Sequence, residues 1–322
     1  MILNFDIIFY FFEPKNLLFY KIIVRSNYFL RFNLNLRIQT TFIKKIFFNL
    51  YMEISKNYLL RKFLPFWEIP DFEISYLKEK RNKYVLIIPV INEGQNIINF
   101  VNKISFLKIN QIIDILIMDG GSIDNSLNPE NLRVKGINGL LIKKGPGKLG
   151  SQLRIAYARS LVMGYEGVIT IDGNNKDQPQ AIKDFIHLLD KGYDFVQGSR
   201  FVKNGKHVNT PLLRYLGIRL IHAPLLSIAS NFRWTDTTQG FRGYSRRLIE
   251  SNKICLFRNI FKNYEMLAYL SYICPKEDFR CIEIPTSRIY PKGKIPTKIS
   301  PLRGEVNVMI TLFRACLGYY SI

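Results

Sequence analysis

From Tyr84 onward, short apolar runs alternate with stretches of helical spacing. Tyr84–Pro89 is continuously apolar, the pattern of a strand buried on both faces of a parallel sheet. Gln95–Leu107 sets Ile97, Ile98, Val101, Ile104 and Leu107 on one helical face. Ile112–Met118 reads as a second buried strand and Gly167–Ile171 as a third. Between them, Ser151–Met163 predicts a helix with Leu153, Ala156, Tyr157, Ser160 and Leu161 on one face. Pro179–Asp190 predicts a helix with proline in its first turn, and Phe195–Gln197 a further strand. This alternation predicts an α/β fold: a mostly parallel, Rossmann-like sheet flanked by helices, with functional loops at the carboxyl ends of the strands. No internal repeat is visible.

The pattern divides the chain. Residues 84–245 carry the βαβ alternation and are expected to form one domain. Residues 246–322 follow as a C-terminal region, and 52–83 form a lead-in. Residues 1–51 differ: they hold no glycine and one proline, and are crowded with Phe, Ile, Leu, Asn and Lys without a sustained period. Two readings stand for them, a basic aromatic segment at a membrane surface or a stretch preceding a natural start at Met52. The sparse turn and capping chemistry favours the second. The apolar run Met1–Val24 is broken by Asp6, Glu13, Pro14, Lys15 and Lys21, short of the roughly 18–20 apolar residues of a span. No clean membrane span is expected anywhere.

Composition narrows the partners. A net charge of +21 implies an anionic one: nucleic acid, an acidic membrane surface or a phosphorylated substrate. The basic residues do not gather around a nucleic-acid-binding motif, so no nucleic acid partner is expected. The four cysteines lack CxxC pairing, which fits a reducing, cytoplasmic setting. The three histidines are scattered and read as core or surface residues.

Three strand ends carry polar loops: Pro89-Val90-Ile91-Asn92-Glu93, Asp119-Gly120-Gly121-Ser122-Ile123-Asp124 and Asp172-Gly173-Asn174-Asn175-Lys176-Asp177. In a doubly wound sheet they converge on one crevice, where a nucleotide binds. Asp119 can accept from a base edge or a ribose hydroxyl; Asx-turn formation is the plainer alternative. A nucleoside diphosphate leaving group needs its charge neutralised, and Mg²⁺ or Mn²⁺ does so through hard oxygen ligands. Asp172, directly after a strand, and Asn174 are the expected metal ligands. Asp177 fits a helix N-terminus as well as it fits a ligand.

These segments resemble glycosyltransferase family 2, closest to its polyprenyl-phosphate branch of the dolichol-phosphate mannose synthase kind, a GT-A fold. Pro89–Ile97 resembles the family's opening Pro-x-x-Asn-Glu loop, Met118–Asp124 its Asp-Asp-Gly-Ser-x-Asp loop, and Gly147-Lys148-Leu149-Gly150 its Lys-Leu-Gly turn. Asp172–Gln180 stands where the family has Asp-x-Asp and a proline-rich helix start. Gly198-Ser199-Arg200-Phe201, Asp236–Arg242 and Tyr264-Glu265-Met266-Leu267 are similar to three further signatures. The match runs over about residues 84–300, in order.

The resemblance implies transfer of a sugar, with inversion, from a nucleotide-sugar donor to a polyprenyl phosphate or saccharide acceptor, at the cytoplasmic face of a membrane with peripheral contact. It implies that Pro89, Ile91, Glu93, Asp119 and Lys148 line the nucleotide site. Asp172 and Asn174 hold the metal, Arg200 and Arg242 face phosphate groups, and Glu265 or Asp236 lies near the acceptor. A hydroxyl acceptor requires a base such as Glu265; a phosphate acceptor is already anionic. Two departures stand out: Gly120 replaces the second Asp of the nucleotide loop, and Asn174 the second Asp of the metal motif, which lowers ligand charge.

Beyond the sheet, Pro211–Phe232 is amphipathic, and reads either as a membrane-surface element or as a helix pair covering the sheet. Arg288, Lys292, Lys294 and Lys298 sit on a loop stiffened by Pro291, Gly293 and Pro296, suited to clamping a phosphate. A sugar-nucleotide nucleotidyltransferase is the enzymatic alternative. It calls for cations in the loop after the first strand, and Val90-Ile91-Asn92-Glu93-Gly94 carries none.

Overall fold

A computed structural model describes residues 67–291 and 303–322. The strands are β1 Phe72–Leu77, β2 Val85–Val90, β3 Asp114–Asp119, β4 Gly139–Lys143, β5 Gly167–Thr170, β6 Phe195–Ser199, β7 Lys206–Val208, β8 Arg242–Ser245, β9 Cys281–Pro285 and β10 Ser287–Ile289. The helices used below are α1 Gln95–Phe106, α2 Leu149–Val162, α3 Ile182–Asp190, α4 Leu212–Ser230, α5 Glu265–Lys276 and α6 Arg303–Cys316.

Eight strands form the main sheet in the order β1-β4-β3-β2-β5-β8-β6-β9. Strands β4, β3, β2 and β5 run parallel, as do β6 and β9, while β8 lies antiparallel between β5 and β6 and β1 antiparallel at the edge. Strand β10 pairs with β7 in a second, two-stranded parallel sheet. The near-continuous apolar letters of β2 and β3 are explained by burial on both faces: Leu86, Ile88, Ile115 and Ile117 are fully enclosed, with Ile97, Phe100 and Ile104 of α1 packed against this core.

The fold matches the α/β expectation, and the sheet extends past both expected boundaries, taking in β1 from the lead-in and β9 from the C-terminal region. The short strand β8, with the letters Arg-Gly-Tyr-Ser, has no apolar run and was not foreseen; it is buried through Gly243, which fits against Phe185, Leu189 and Val196. The expected helix at Pro179–Asp190 begins with a 3₁₀ turn, Pro179–Ala181, before α3.

The Pro211–Phe232 segment is one helix, α4, and not a helix pair. It passes through a π-turn at Gly217–His222, just ahead of Pro224, whose missing N–H cannot continue the ordinary ladder. By length and composition α4 is apolar enough to cross a membrane, which corrects the expectation of no such stretch.

Candidate active site

The carboxyl ends of β2, β3 and β5 lie side by side, so the three polar loops do meet. Ser122 and Asn92 tie the first two loops together: the Asn92 N–H donates to Ser122 Oγ at 2.9 Å, and the Ile123 N–H donates to Asn92 Oδ1 at 2.9 Å. The Gly94 N–H donates to Asp124 at 2.8 Å. From below, Gln152 of α2 donates to a carbonyl at the end of each strand, Val90 O at 2.9 Å and Met118 O at 2.8 Å. Gly120 lets that amide in: a Cβ there would lie 3.1 Å from Gln152 Nε2 and 3.2 Å from the Ile91 Cβ. Gln152 escaped the sequence reading because it falls among the letters of an ordinary buried helix.

The expected nucleotide residues gather around this junction. Pro89 is half-buried at the end of β2, Ile91 is exposed beyond it and Glu93 is half-buried in the same loop. Asp119 is buried and turned onto its own loop, accepting from the Ser122 N–H at 2.9 Å and the Ser122 hydroxyl at 2.6 Å. That is the Asx turn read as the plainer alternative. Lys148 is exposed at the start of α2, where its N–H donates to Lys262 O at 2.7 Å.

Asp172 follows β5 and keeps 30% of its side chain exposed. A Cβ on Gly240 would collide with its Oδ1, so that glycine makes room for the carboxylate. Asp172 Oδ2 receives Arg288 Nη2 at 3.0 Å, while Arg288 Nη1 pairs with the fully buried Asp177. Burial pushes the Asp177 carboxyl up, with the Arg288 charge opposing and the Asp172 charge adding. Gln239 Nε2 donates to the other Asp177 oxygen at 2.7 Å. The loop is stitched to β10 by its backbone: the Gln178 N–H donates to Ser287 O at 3.1 Å and the Ile289 N–H to Lys176 O at 2.8 Å.

Asn174 turns its amide nitrogen, and not its oxygen, toward Asp172. Its Nδ2 faces Asp172 Oδ2 at 3.4 Å, and its Oδ1 accepts the Lys176 N–H at 3.2 Å, closing a turn. A divalent ion would therefore find one carboxylate already holding a guanidinium, and a turn-forming amide. Among the described residues there is also no group of three or more His, Cys, Asp or Glu able to hold a metal. This donor set does not fit Mg²⁺ or Mn²⁺ as the sequence had assembled it.

Cations surround Tyr290 beside Asp172. Arg200 Nη1 donates to its hydroxyl at 3.2 Å and Arg214 Nη1 at 3.3 Å; Lys176 Nζ stands 5.3 Å from its ring centre. Burial pushes the Tyr290 phenol up, but Arg288, Arg200 and Arg214 outweigh it and its pKa falls below the ordinary value. Burial also lowers the pKa of the Lys176 ammonium, with the Arg288 charge acting the same way. Of the cations expected on the basic loop only Arg288 is described; Lys292, Lys294 and Lys298 lie outside the described residues.

Two expected site residues hold the scaffold instead. Asp236 is fully buried, with Oδ2 at 2.6 Å from Arg200 Nε and Oδ1 at 2.9 Å from Arg200 Nη2, so both oxygens are engaged by one guanidinium. Arg242 is enclosed too. Its guanidinium donates to the carbonyls of Thr237 at 2.6 Å, Gln239 at 3.0 Å and Leu267 at 2.8 Å. A buried guanidinium persists only where its donors are satisfied, and this one clamps the 237–239 loop onto α5. Glu265 opens α5, and its carboxylate accepts the Asn263 N–H.

The strand-end loops, with Asp172 after β5 and a ring of cations beside it, form one polar, cation-rich cleft in an α/β fold. The chain belongs to glycosyl transferase family 2, whose profile matches residues 85–252, and is a family 2 glycosyltransferase. It is similar to polyprenol monophosphomannose synthase of Mycolicibacterium smegmatis, 24% identical over 213 residues, 62% of this chain and 75% of that protein. It is also similar to undecaprenyl-phosphate 4-deoxy-4-formamido-L-arabinose transferase of Yersinia pestis, 25% identical over 58% of this chain and 55% of that protein. Among solved structures, glucosyl-3-phosphoglycerate synthase from Mycobacterium tuberculosis in complex with Mn²⁺, UDP-glucose and phosphoglyceric acid has a TM-score of 0.53 at 16% identity, covering 73% of this chain and 79% of that one. The same enzyme with Mg²⁺ and UDP also scores 0.53. This second likeness is one of fold: the GT-A arrangement.

Proposed function

We propose that the chain transfers a sugar from a nucleoside-diphosphate donor to a polyprenyl phosphate, with inversion, at a membrane surface. The observation that carries this is the cation ring at Tyr290, next to the strand-end acid Asp172. In this reading the base and ribose lie across the β2 and β3 loops, near Ile91, Glu93 and Asp119. The acceptor phosphate approaches Arg214, half-buried at the mouth of the ring. A phosphate oxygen attacks the anomeric carbon from the face opposite the nucleotide. The new carbon–oxygen bond forms as the bond to the β-phosphate breaks, and its electron pair leaves on the diphosphate. The acceptor oxygen is already anionic, so no base is required. The occupied state of Asp236 supports a phosphate over a hydroxyl acceptor. The names of the two similar enzymes, one polyprenol-based and one undecaprenyl-phosphate-based, support it too.

The membrane half of the reading rests on apolar exposure. On α4, Leu212, Leu213, Leu220 and Ile228 are 69–82% exposed, and α6, which packs beside α4, exposes Val306 and Phe313. Arg214 and Arg219 interrupt the α4 face, an arrangement suited to lying in the headgroup layer at the cytoplasmic face.

The test is a grid of UDP-, GDP- and CDP-sugars against undecaprenyl phosphate and free saccharides, read by mass spectrometry. A glycosyl phospholipid from one donor is expected. Transfer to saccharide hydroxyls alone would overturn the acceptor assignment.

A further inference from the structure

The positive charge nearest Asp172 is built into the chain. Arg288 is only 7% exposed and joins Asp172 to Asp177; Lys176 lies in the loop between them, half-buried. Backbone hydrogen bonds between that loop and β10 fix the two cations relative to each other. Arg288 thus holds both carboxylates, and Lys176 and Arg214 stand beside it around Tyr290, so positive charge is in place before any ion arrives. A divalent ion on Asp172 would stand beside a guanidinium nitrogen 3.0 Å from its own ligand, with Lys176 in the same loop. Like charges so close oppose its binding. An arriving diphosphate meets the reverse situation. A guanidinium has five N–H donors and an ammonium three, so both keep capacity for phosphate oxygens beyond the bonds described.

We infer that Lys176 and Arg288 supply to the departing nucleoside diphosphate the positive charge that a divalent ion would otherwise supply, so that donor binding and transfer here need no metal. This rests on the glycosyl-transfer reading above. When the bond from the anomeric carbon to the β-phosphate oxygen breaks, its electron pair stays on the diphosphate. The charge that develops meets fixed ammonium and guanidinium groups, and no proton changes place.

The test is calorimetric titration of the full chain with UDP, GDP and CDP, in EDTA and in millimolar Mn²⁺. One nucleotide is expected to bind with a Kd that agrees within about threefold between the two media. Lys176→Ala is expected to weaken that binding by about tenfold or more in EDTA, and Lys176→Arg to retain it. Lys176→Ala combined with Asn174→Asp is expected to regain affinity only with Mn²⁺, and to quench the electron-paramagnetic signal of free Mn²⁺ that the wild type leaves intact. Wild-type binding that requires Mn²⁺ would overturn the inference while leaving the glycosyltransferase reading standing. Unchanged affinity of Lys176→Ala in EDTA would overturn it too. Binding of no nucleotide in either medium would overturn the donor site itself, and the inference with it.

Discussion

At the scale of single residues, the site is governed by which carboxylates reach the cleft. Asp172 holds Arg288 and still keeps 30% of its side chain exposed, whereas Asp177 and Asp236 are enclosed on Arg288 and Arg200. Asp172→Asn keeps the shape and removes the charge. Turnover is expected to fall by about a hundredfold or more with the circular dichroism unchanged, since charge fixed at a reacting centre is worth that much. Arg200→Ala acts through stability. It strands Asp236 without its partner in the core, at about 3–5 kcal/mol, which a denaturation midpoint would register. Arg200→Met with Asp236→Leu should cost less than Arg200→Ala, because a buried pair is cheaper to remove whole than to halve. Asp172 was legible in the sequence because an acid directly after a buried strand has one place to go. The tasks of Asp236 and Arg242 were not, because an Asp-Thr-Thr-Gln-Gly-Phe-Arg string does not reveal whether its charges meet a ligand or each other. Gln239 and Tyr290 were missed for the same reason: their partners are distant in sequence.

At the scale of elements, α4 packs on α5 through its inner face and leaves its outer face exposed. Its inner face carries His222, whose Nδ1 lies 3.1 Å from Thr237 Oγ1. Burial pushes this imidazole down to about 4, helped by the Arg242 charge and opposed by Asp236. A histidine with a depressed folded pKa stabilises the fold above its unfolded value and loses that contribution as pH falls through the folded one. Stability is therefore expected to decline between about pH 6.5 and pH 4, by up to roughly 3 kcal/mol. His222→Gln should flatten that part of a melting-temperature profile. The outer face of α4 carries the leucines. Leu213→Glu with Leu220→Glu is expected to lower affinity for anionic vesicles by about tenfold or more, since burying each leucine is worth about 1.5–3 kcal/mol, and to leave the melting temperature nearly unchanged. Unaltered vesicle binding would remove α4 from the membrane contact. The sequence showed α4 to be amphipathic. Its continuity did not show, because Gly217 and Pro224 read as breaks and the π-turn that absorbs them has no sequence signal of its own.

At the scale of the whole molecule, the parallel half of the sheet was readable because its strands are buried on both faces and so are apolar throughout. The rest was not: β8 is polar by letter, and β1 and β9 join the sheet across long stretches of chain. Those unforeseen parts frame the cleft, where β9 and β10 bring Arg288 and Tyr290 to Asp172. In the proposed function this junction moves a sugar onto a phosphate. The most direct measurement follows nucleoside-diphosphate release by the full chain from a panel of UDP-, GDP- and CDP-sugars, with and without undecaprenyl phosphate, for the wild type and Asp172→Asn. Release from one donor that depends on the lipid phosphate and disappears in the variant is the expected result. Release indifferent to the lipid, or equal in the two proteins, would contradict the account.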